Sequence, residues 1–526
     1  MPSFDLTKEP WLPVICLDGR LEEVSLTSLF HRAHEIRHVI GQTPPMTAAL
    51  HRLVLALACR VYQPLDSNSW TELWRNERLP TQQLDDYLLK HPGRFDVFDK
   101  QRPFFQCPAV ATVAASSAAK LVPYRSTGNN TTLFDHTTSR DEIMLAPAEA
   151  ARWLVTLQAY DPGGLKSPYT KEKSSQAAPA NWFGMVLVEG SNLKETLLLN
   201  LMPYDPDGEQ PRNTFPKDRP VWEADPPAPE PDKRHPLGWT DLLTWPSRRV
   251  WLAHRQVGDQ TVVDRVVITP GTRLEAAPED NEWMAAYRRP EVRKGQKSAA
   301  AAGWYPIRLR DLRGVWRHSR ELFLAPELSE ERRRQRPATL DHVARMVGRK
   351  VISDDAVYTL RVFGQQLDSK STVVHQVLEE AVAAPVALLK AAHQVAGRII
   401  GHSIELADQV GSALNQMERE YRAELHGSPA APSLELAYWP SLAVPFDRFL
   451  WDLAKALEAD QSPTKATREW ADDVRRIAED AAKRWAESSP RQGRNLEVAG
   501  ACYGRFVGLL GHHVNAYHGF IARYVA

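Results

Sequence analysis

Glycine, lysine and acidic chemistry meet in one short segment, YDPGGLKS at 160–167. Asp161, Pro162, Gly163 and Gly164 form a strong turn signal. Two residues without side chains let a backbone approach a ligand closely, and Lys166 adds a partner for phosphate. A plain tight turn is the commoner outcome for such a string. The segment is not a nucleotide-binding P-loop, because Leu165 separates glycine from lysine and the upstream glycine is missing. Of other catalytic signatures, the sequence reads without a His-Asp dipeptide, a His-Glu-x-x-His helix or a Gly-x-Ser-x-Gly elbow. His512, His513 and His518 lie close together, but their five- and six-residue separations miss the three or four that put two metal ligands on one helical face. Triads are defined by geometry, so missing motifs lower the odds of catalysis only.

Three further stretches could do chemistry. STGNNTTLFDHTT at 126–138 contains Gly128, Asn129 and Asn130, which suit neither helix nor strand, and one ring, Phe134, beside Asp135 and His136. A polar loop displaying an aromatic ring suits recognition of unstacked bases or of a partner; a solvated loop with Phe134 tucked back fits equally well. VFGQQLDSKST at 362–372 runs from a strand edge into a polar turn and reads as an exposed β-hairpin tip. QRPFFQCP at 101–108 reads as a turn whose Phe104 and Phe105 fill a core. Arg475, Arg476, Lys483, Arg484, Arg491 and Arg494 are interleaved with Asp472, Asp473, Glu479 and Asp480. A self-paired solvated face is therefore favoured there over a strip for a nucleic-acid strand.

These residues must be positioned by more than one domain, since 526 residues exceed the typical domain of about 100–150. Sixty-five basic side chains balance sixty-five acidic ones. Free-standing nucleic-acid binders carry a basic surplus, so the balance argues against strong autonomous DNA binding and leaves room for a subunit that borrows affinity from an assembly. Cys16, Cys59, Cys107 and Cys502 have no metal-ligand spacing and read as free thiols of a reducing compartment. MPSFDLTKEPW is no signal peptide, and no apolar run reaches the roughly 18 residues of a membrane span, so a cytoplasmic protein without membrane contact, metal or cofactor is expected.

The N-terminal stretch PWLPVICLDGRLEEVSLTSLF predicts a strand from Trp11, a turn at Asp18-Gly19, a return strand, and a short helix started by Ser25 or Thr27. Pro44-Pro45 then precede an apolar helix over 46–62. Up to about Val351 the chain is irregular and rich in proline and tryptophan, with strand-like runs at 185–188 and 262–268. Residues 203–236 carry too many prolines for regular structure and read as a long surface loop. Residues 327–350 are charged and helix-prone, with Ser329 as a cap. From about 371 onward, helical periodicity takes over. Leu388, Ala392, Val395, Ile399, Leu406, Val410, Leu414 and Met417 make one apolar stripe; Phe446, Phe449, Leu450, Leu453 and Leu457 a second; Trp470, Val474, Ile477, Ala481 and Trp485 a third. A fourth helix is expected over 495–510. The predicted class is α+β: a large irregular mixed domain over 1–370 and an antiparallel four-helix bundle over 371–526.

Taken in order, the N-terminal unit, the Pro-Phe-Phe-Gln of 103–106, the Asp-Pro-Gly-Gly loop and the terminal bundle resemble the CasA family, the large subunit of the type I-E CRISPR interference complex, Cascade. That resemblance implies a non-enzymatic DNA-recognition subunit. Its implied partners are the other Cascade subunits, guide RNA, double-stranded target DNA and a helicase–nuclease. It implies that Gly163 and Gly164, followed by Lys166, enter the minor groove beside the protospacer-adjacent motif (PAM). Relatives also use a lysine finger on a short hairpin; here 270–275 offers only Arg273. A wedge that parts the duplex is implied at Ser369-Lys370, or else at Gln365-Gln366. The loop bearing Asn129, Asn130, Phe134 and His136 is implied to contact nucleic acid and the assembly, though Asp135 and His136 depart from the family pattern. The alternative from another class is a free-standing cytoplasmic hydrolase or nuclease with an unrecognised site.

Overall fold

The computed structural model describes residues 2–64, 66–123, 143–203, 217–275, 282–288, 304–308, 314–323, 334–389, 394–425, 434–488 and 493–525. Helix and strand are both present throughout, as the α+β class requires, and the chain divides into two compact units. The first comprises residues 1–308, 337–342 and 361–379; the second comprises 309–336, 343–360 and 380–526.

The first unit begins as the sequence suggests. Strand Leu12–Cys16 pairs antiparallel with Leu21–Val24 across a turn in which Gly19 takes a φ of 85°. Ser25 caps the short helix Leu26–His31 by accepting a hydrogen bond from the Ser28 amide. A third strand, Ile36–Val39, pairs on the other side of the first and was not foreseen. Pro44 and Pro45 stand inside the first turn of the helix Pro44–Tyr62, where a missing N–H costs nothing, and Thr43 caps it. That helix is apolar nearly all round and packs against a second buried helix, Pro147–Tyr160. Between them they form the spine of the unit. A long antiparallel hairpin, Arg248–Val257 with Gln260–Pro270, holds the predicted 262–268 run, and Met185–Glu189 is the strand expected at 185–188. Phe104 and Phe105 are buried, and the Gln106 amide ties Val97 to Leu252, so the 101–108 turn is core. Of the long loop expected over 203–236, residues 204–216 lie outside the described residues; 217–236 are largely irregular and surface-facing but anchored, since Trp222 is buried and the Asp218 carboxylate accepts from the Thr240 and Asp241 amides at the start of helix Trp239–Leu243.

The second unit does not start at 371. Residues 374–385 form a strand, Val374–Pro385, which neighbours Val357–Leu367 in a three-stranded sheet, so the boundary expected at 370/371 cuts a β-hairpin at its turn. The run VHQVLEEAVAAP lacks apolar alternation: Val377 shares the more exposed face with His375 and Glu379, and Glu380 stands on the other face with Val374 and Leu378. Helices Gln394–Glu424, Ala443–Glu458, Thr464–Ser488 and Arg494–Val525 pack together as the bundle. The last of these runs well past the 495–510 expected. Ile399, Leu406, Val410, Leu414 and Met417 are buried as predicted, as are Phe446, Phe449, Leu450, Leu453, Trp470 and Val474, whereas Val395 is exposed. Trp316, from well upstream, is buried in the same unit and meets the rings of Trp439, Phe446 and Trp470.

Candidate functional site

The glycine loop starts where the Pro147–Tyr160 helix stops. The Asp161 amide donates to Leu157 O, closing the last turn, and the chain then leaves through Pro162. Gly164 adopts a φ of 105°, a left-handed conformation that favours glycine, and Gly164–Leu165 pairs antiparallel with Ser174–Ser175. The result is a small finger whose tip is residues 166–173. Lys171 and Lys173 are exposed on it and carry no ion pair among the described residues. Sequence reading passed over both, although the TKEK run at 170–173 was the available signal. Leu165 is 80% exposed on the same finger.

Lys166 is not free. Its Nζ lies 2.7 Å from Asp161 Oδ2, and Arg248 Nε lies 2.5 Å from the same oxygen. Burial disfavours the Asp161 charge, but the Lys166 ammonium and the Arg248 guanidinium more than offset it and hold the carboxyl below its ordinary value. Arg248 is almost completely buried and also donates to the carbonyls of Pro162 at 3.0 Å and Gln176 at 2.8 Å. Planar guanidinium geometry suits this bracing of several carbonyls at once. Asp161 was read from sequence only as a turn residue and Arg248 was not singled out, since the two meet from distant segments. Arg273 lies on the two-residue strand Arg273–Leu274, and its Nη2 donates to Glu172 Oε1 at 3.0 Å and Ser174 O at 2.9 Å. It therefore supports the finger's second strand.

The hairpin tip sits beside this loop. Asp368 Oδ1 accepts from the amides of Thr372 at 2.5 Å and Val373 at 2.9 Å, and Ser371 takes a φ of 57°. Ser369 and Lys370 are exposed at the tip, where a side chain can leave the protein surface. Gln365 faces the other way: its Nε2 donates to Tyr160 O at 2.9 Å and Asn181 Oδ1 at 2.8 Å. Gln366 Oε1 is enclosed without a hydrogen-bond partner among the described residues. Of the two wedge positions, Ser369-Lys370 alone is presented outward. Asn129, Asn130, Phe134 and His136 lie outside the described residues.

Loop and hairpin meet directly. The Gly163 amide donates to Ser371 O at 2.8 Å. A Cβ at Gly163 would stand 3.0 Å from Ser175 O and 3.1 Å from Ser371 O, and one at Gly164 would stand 3.2 Å from Thr372 Cγ2. The close approach that requires glycine at 163 is thus to the chain's own hairpin. Beside this junction opens a cavity of about 730 Å³, walled in part by Thr156, Leu165, Lys166, Gln365 and His375.

Nothing gathered at this site has the form of a metal centre, and among the described residues no three His, Cys, Asp or Glu side chains converge as one. A His-Glu-x-x-His spacing does occur, contrary to the sequence reading, at His34, Glu35 and His38. Ile36–Val39 is a strand, so these residues do not share a helical face, and His38 Nδ1 lies 3.0 Å from Glu189 Oε1 instead. The four cysteines are all unpaired and buried. No described helix is long and apolar enough to cross a membrane.

Comparison with known proteins defines the family. The profile of CRISPR-associated protein Cse1 matches residues 5–481. The CRISPR-associated protein CasA/Cse1 of Thermus thermophilus is 30% identical over 98% of this chain and 99% of its own length. The crystal structure of the CRISPR-associated protein Cse1 from Acidimicrobium ferrooxidans superposes with a TM-score of 0.82 at 29% identity, covering 98% of this chain and 99% of that one. A chain of a solved CRISPR RNA-guided surveillance complex has the same fold, with a TM-score of 0.74 at 21% identity and coverage of 99% and 100%. The chain belongs to the CRISPR-associated Cse1 family.

Proposed function

We propose that this chain is the non-enzymatic large subunit of a type I-E Cascade complex, reading the PAM of double-stranded DNA through the minor groove and helping to open the duplex. It works with the other Cascade subunits and guide RNA in the cytoplasm and presents a surface to the recruited helicase–nuclease. The observation that carries this reading is the junction of loop and hairpin: a finger bearing exposed Lys171 and Lys173 lies beside a tip bearing exposed Ser369 and Lys370. The first supplies cations for phosphates flanking a groove, and the second supplies a projection at the point where strands must part. Family membership supports the assignment, and so does the likeness of the fold to a chain of an RNA-guided surveillance complex.

The chain's neutral balance fits a division of labour in which protein reads a short motif and base pairing reads the rest. Affinity then comes from a local basic tip and from the assembly. Lys166 serves in this reading as a brace for the loop. Arg273 braces the finger.

Parting the first base step costs about 1–2 kcal/mol of stacking, which the guide heteroduplex recovers only after several pairs form. Replacing Ser369 and Lys370 together by glycine is therefore expected to slow R-loop formation on an intact duplex. A target pre-melted beside the PAM should be spared. Permanganate footprinting on both substrates makes the comparison. Equal slowing on the two would reduce the tip to a folding role, and no slowing on either would end the wedge assignment.

A further inference from the structure

We propose that the 161–166 loop and the 368–373 hairpin turn act as one coupled element, with Asp161 and Asp368 as the positioning residues on its two sides. This rests on the DNA-reading role proposed above and adds how its two parts communicate: recognition by the finger that the loop launches and opening by the hairpin occur in one docking event.

The ties are specific. From the loop, the Gly163 N–H reaches Ser371 O at 2.8 Å. That carbonyl is aimed by Ser371 in a left-handed conformation that a residue with a side chain adopts only when its surroundings impose it. Here the imposing group is Asp368, whose Oδ1 accepts from Thr372 N and Val373 N while its own carbonyl accepts from Ser371 N at 2.9 Å. Those backbone hydrogen bonds hold the Asp368 carboxyl below its ordinary value. A second tie runs from Gln365, on the strand that leads into the turn, to Tyr160 O at the end of the helix that launches the loop. On the loop side, Asp161 gathers Lys166 and Arg248, which fixes both ends of the 161–166 segment to one carboxylate. A shift of the loop relative to the turn stretches the Gly163–Ser371 bond, and Thr372 closes the space beside Gly164, where its Cγ2 would stand 3.2 Å from a Cβ.

Coupling of this kind is reciprocal. Loosening the hairpin at Asp368 is expected to weaken recognition by the finger, and loosening the loop at Asp161 to make opening at the tip less favourable. The test has two arms. Hydrogen–deuterium exchange on the full purified chain compares the parent with Asp368→Ala and Asp368→Asn. Asp368→Ala is expected to raise exchange at the Gly163 and Lys166 amides, and Asp368→Asn, which retains a turn-accepting oxygen, to restore much of the protection. The assembled guide-RNA complex is then given a library of target duplexes randomised in the bases flanking the protospacer. Asp368→Ala should lower discrimination among flanks about tenfold, and Asp161→Asn should slow opening of the preferred duplex. Unchanged exchange at residues 161–166 would overturn the coupling. Raised exchange with only opening affected by Asp368→Ala would also overturn it. Raised exchange with neither DNA readout changed would leave the coupling intact and defeat the DNA-reading role instead.

Discussion

Arg248 and Trp470 are both almost wholly buried, and they show how differently two regions of this molecule are held. Arg248 spends its guanidinium on Asp161 and on the carbonyls of Pro162 and Gln176, fixing a segment that has little apolar surface of its own. Trp470 meets Trp316, Phe446 and Phe449 ring to ring and donates to Ser403 O, fixing helices that already carry apolar stripes. The loop–hairpin region is thus oriented by directional polar contacts, the bundle by packed volume. Directional contacts hold geometry within tenths of an ångström while leaving side chains such as Lys171, Lys173 and Lys370 outside, free for a ligand. Packed volume gives stability and leaves the polar faces of the helices for partners.

Several perturbations can break that contrast. Trp470→Ala should cost the second unit about 3–5 kcal/mol through lost burial and the cavity left behind, measured by urea unfolding followed by circular dichroism. For the same reason a 371–526 fragment, which lacks Trp316, should fold less stably than one that includes residues 309–336. Arg248→Ala should cost about 3 kcal/mol, because Asp161 keeps Lys166 but the carbonyls of Ser247, Pro162 and Gln176 lose their guanidinium donor. Its signature should be exchange confined to the loop, not loss of helix. Acid should tell the regions apart too. The Asp161 carboxyl has its folded-state value lowered, so its stabilisation is present in full above the ordinary carboxylate value and is lost as pH falls through that lowered one. Protection against exchange at 161–166, taken relative to the intrinsic rate at each pH, should therefore fall on acidification while staying level from pH 5 to 8. Lys171→Ala with Lys173→Ala should leave stability unchanged and reduce the slope of duplex affinity against salt by about 1–2. A salt slope identical to the parent's would remove the finger from the interface.

Much of the bundle was legible because its periodicity is local: Phe446 to Leu453 and Trp470 to Ile477 are buried as their spacing requires. Its start was placed too early because Val374–Pro385 mixes apolar and charged residues on both of its faces, so no period of two marks it as a strand. In the site, glycine and turn chemistry revealed where the loop and hairpin turn lie. Their meeting was not legible, since the Gly163–Ser371 bond joins residues about two hundred positions apart. Lys166 shows the same limit, because a lysine after a glycine turn reads as a phosphate ligand until Asp161 and Arg248 are placed around it. Arg273, expected as a stand-in for a minor-groove lysine, is bonded to Glu172 and Ser174 of the finger, partners that its sequence neighbours do not reveal.

In the proposed role, this chain gives a guide-RNA complex its access to duplex DNA. The direct measurement compares the complex purified with and without the chain, on a double-stranded target and on the same target strand alone. Removal is expected to abolish stable binding to the duplex and to leave single-strand binding nearly unchanged, with duplex binding restored on adding the chain back. Undiminished duplex binding and opening by the complex that lacks it would contradict the account.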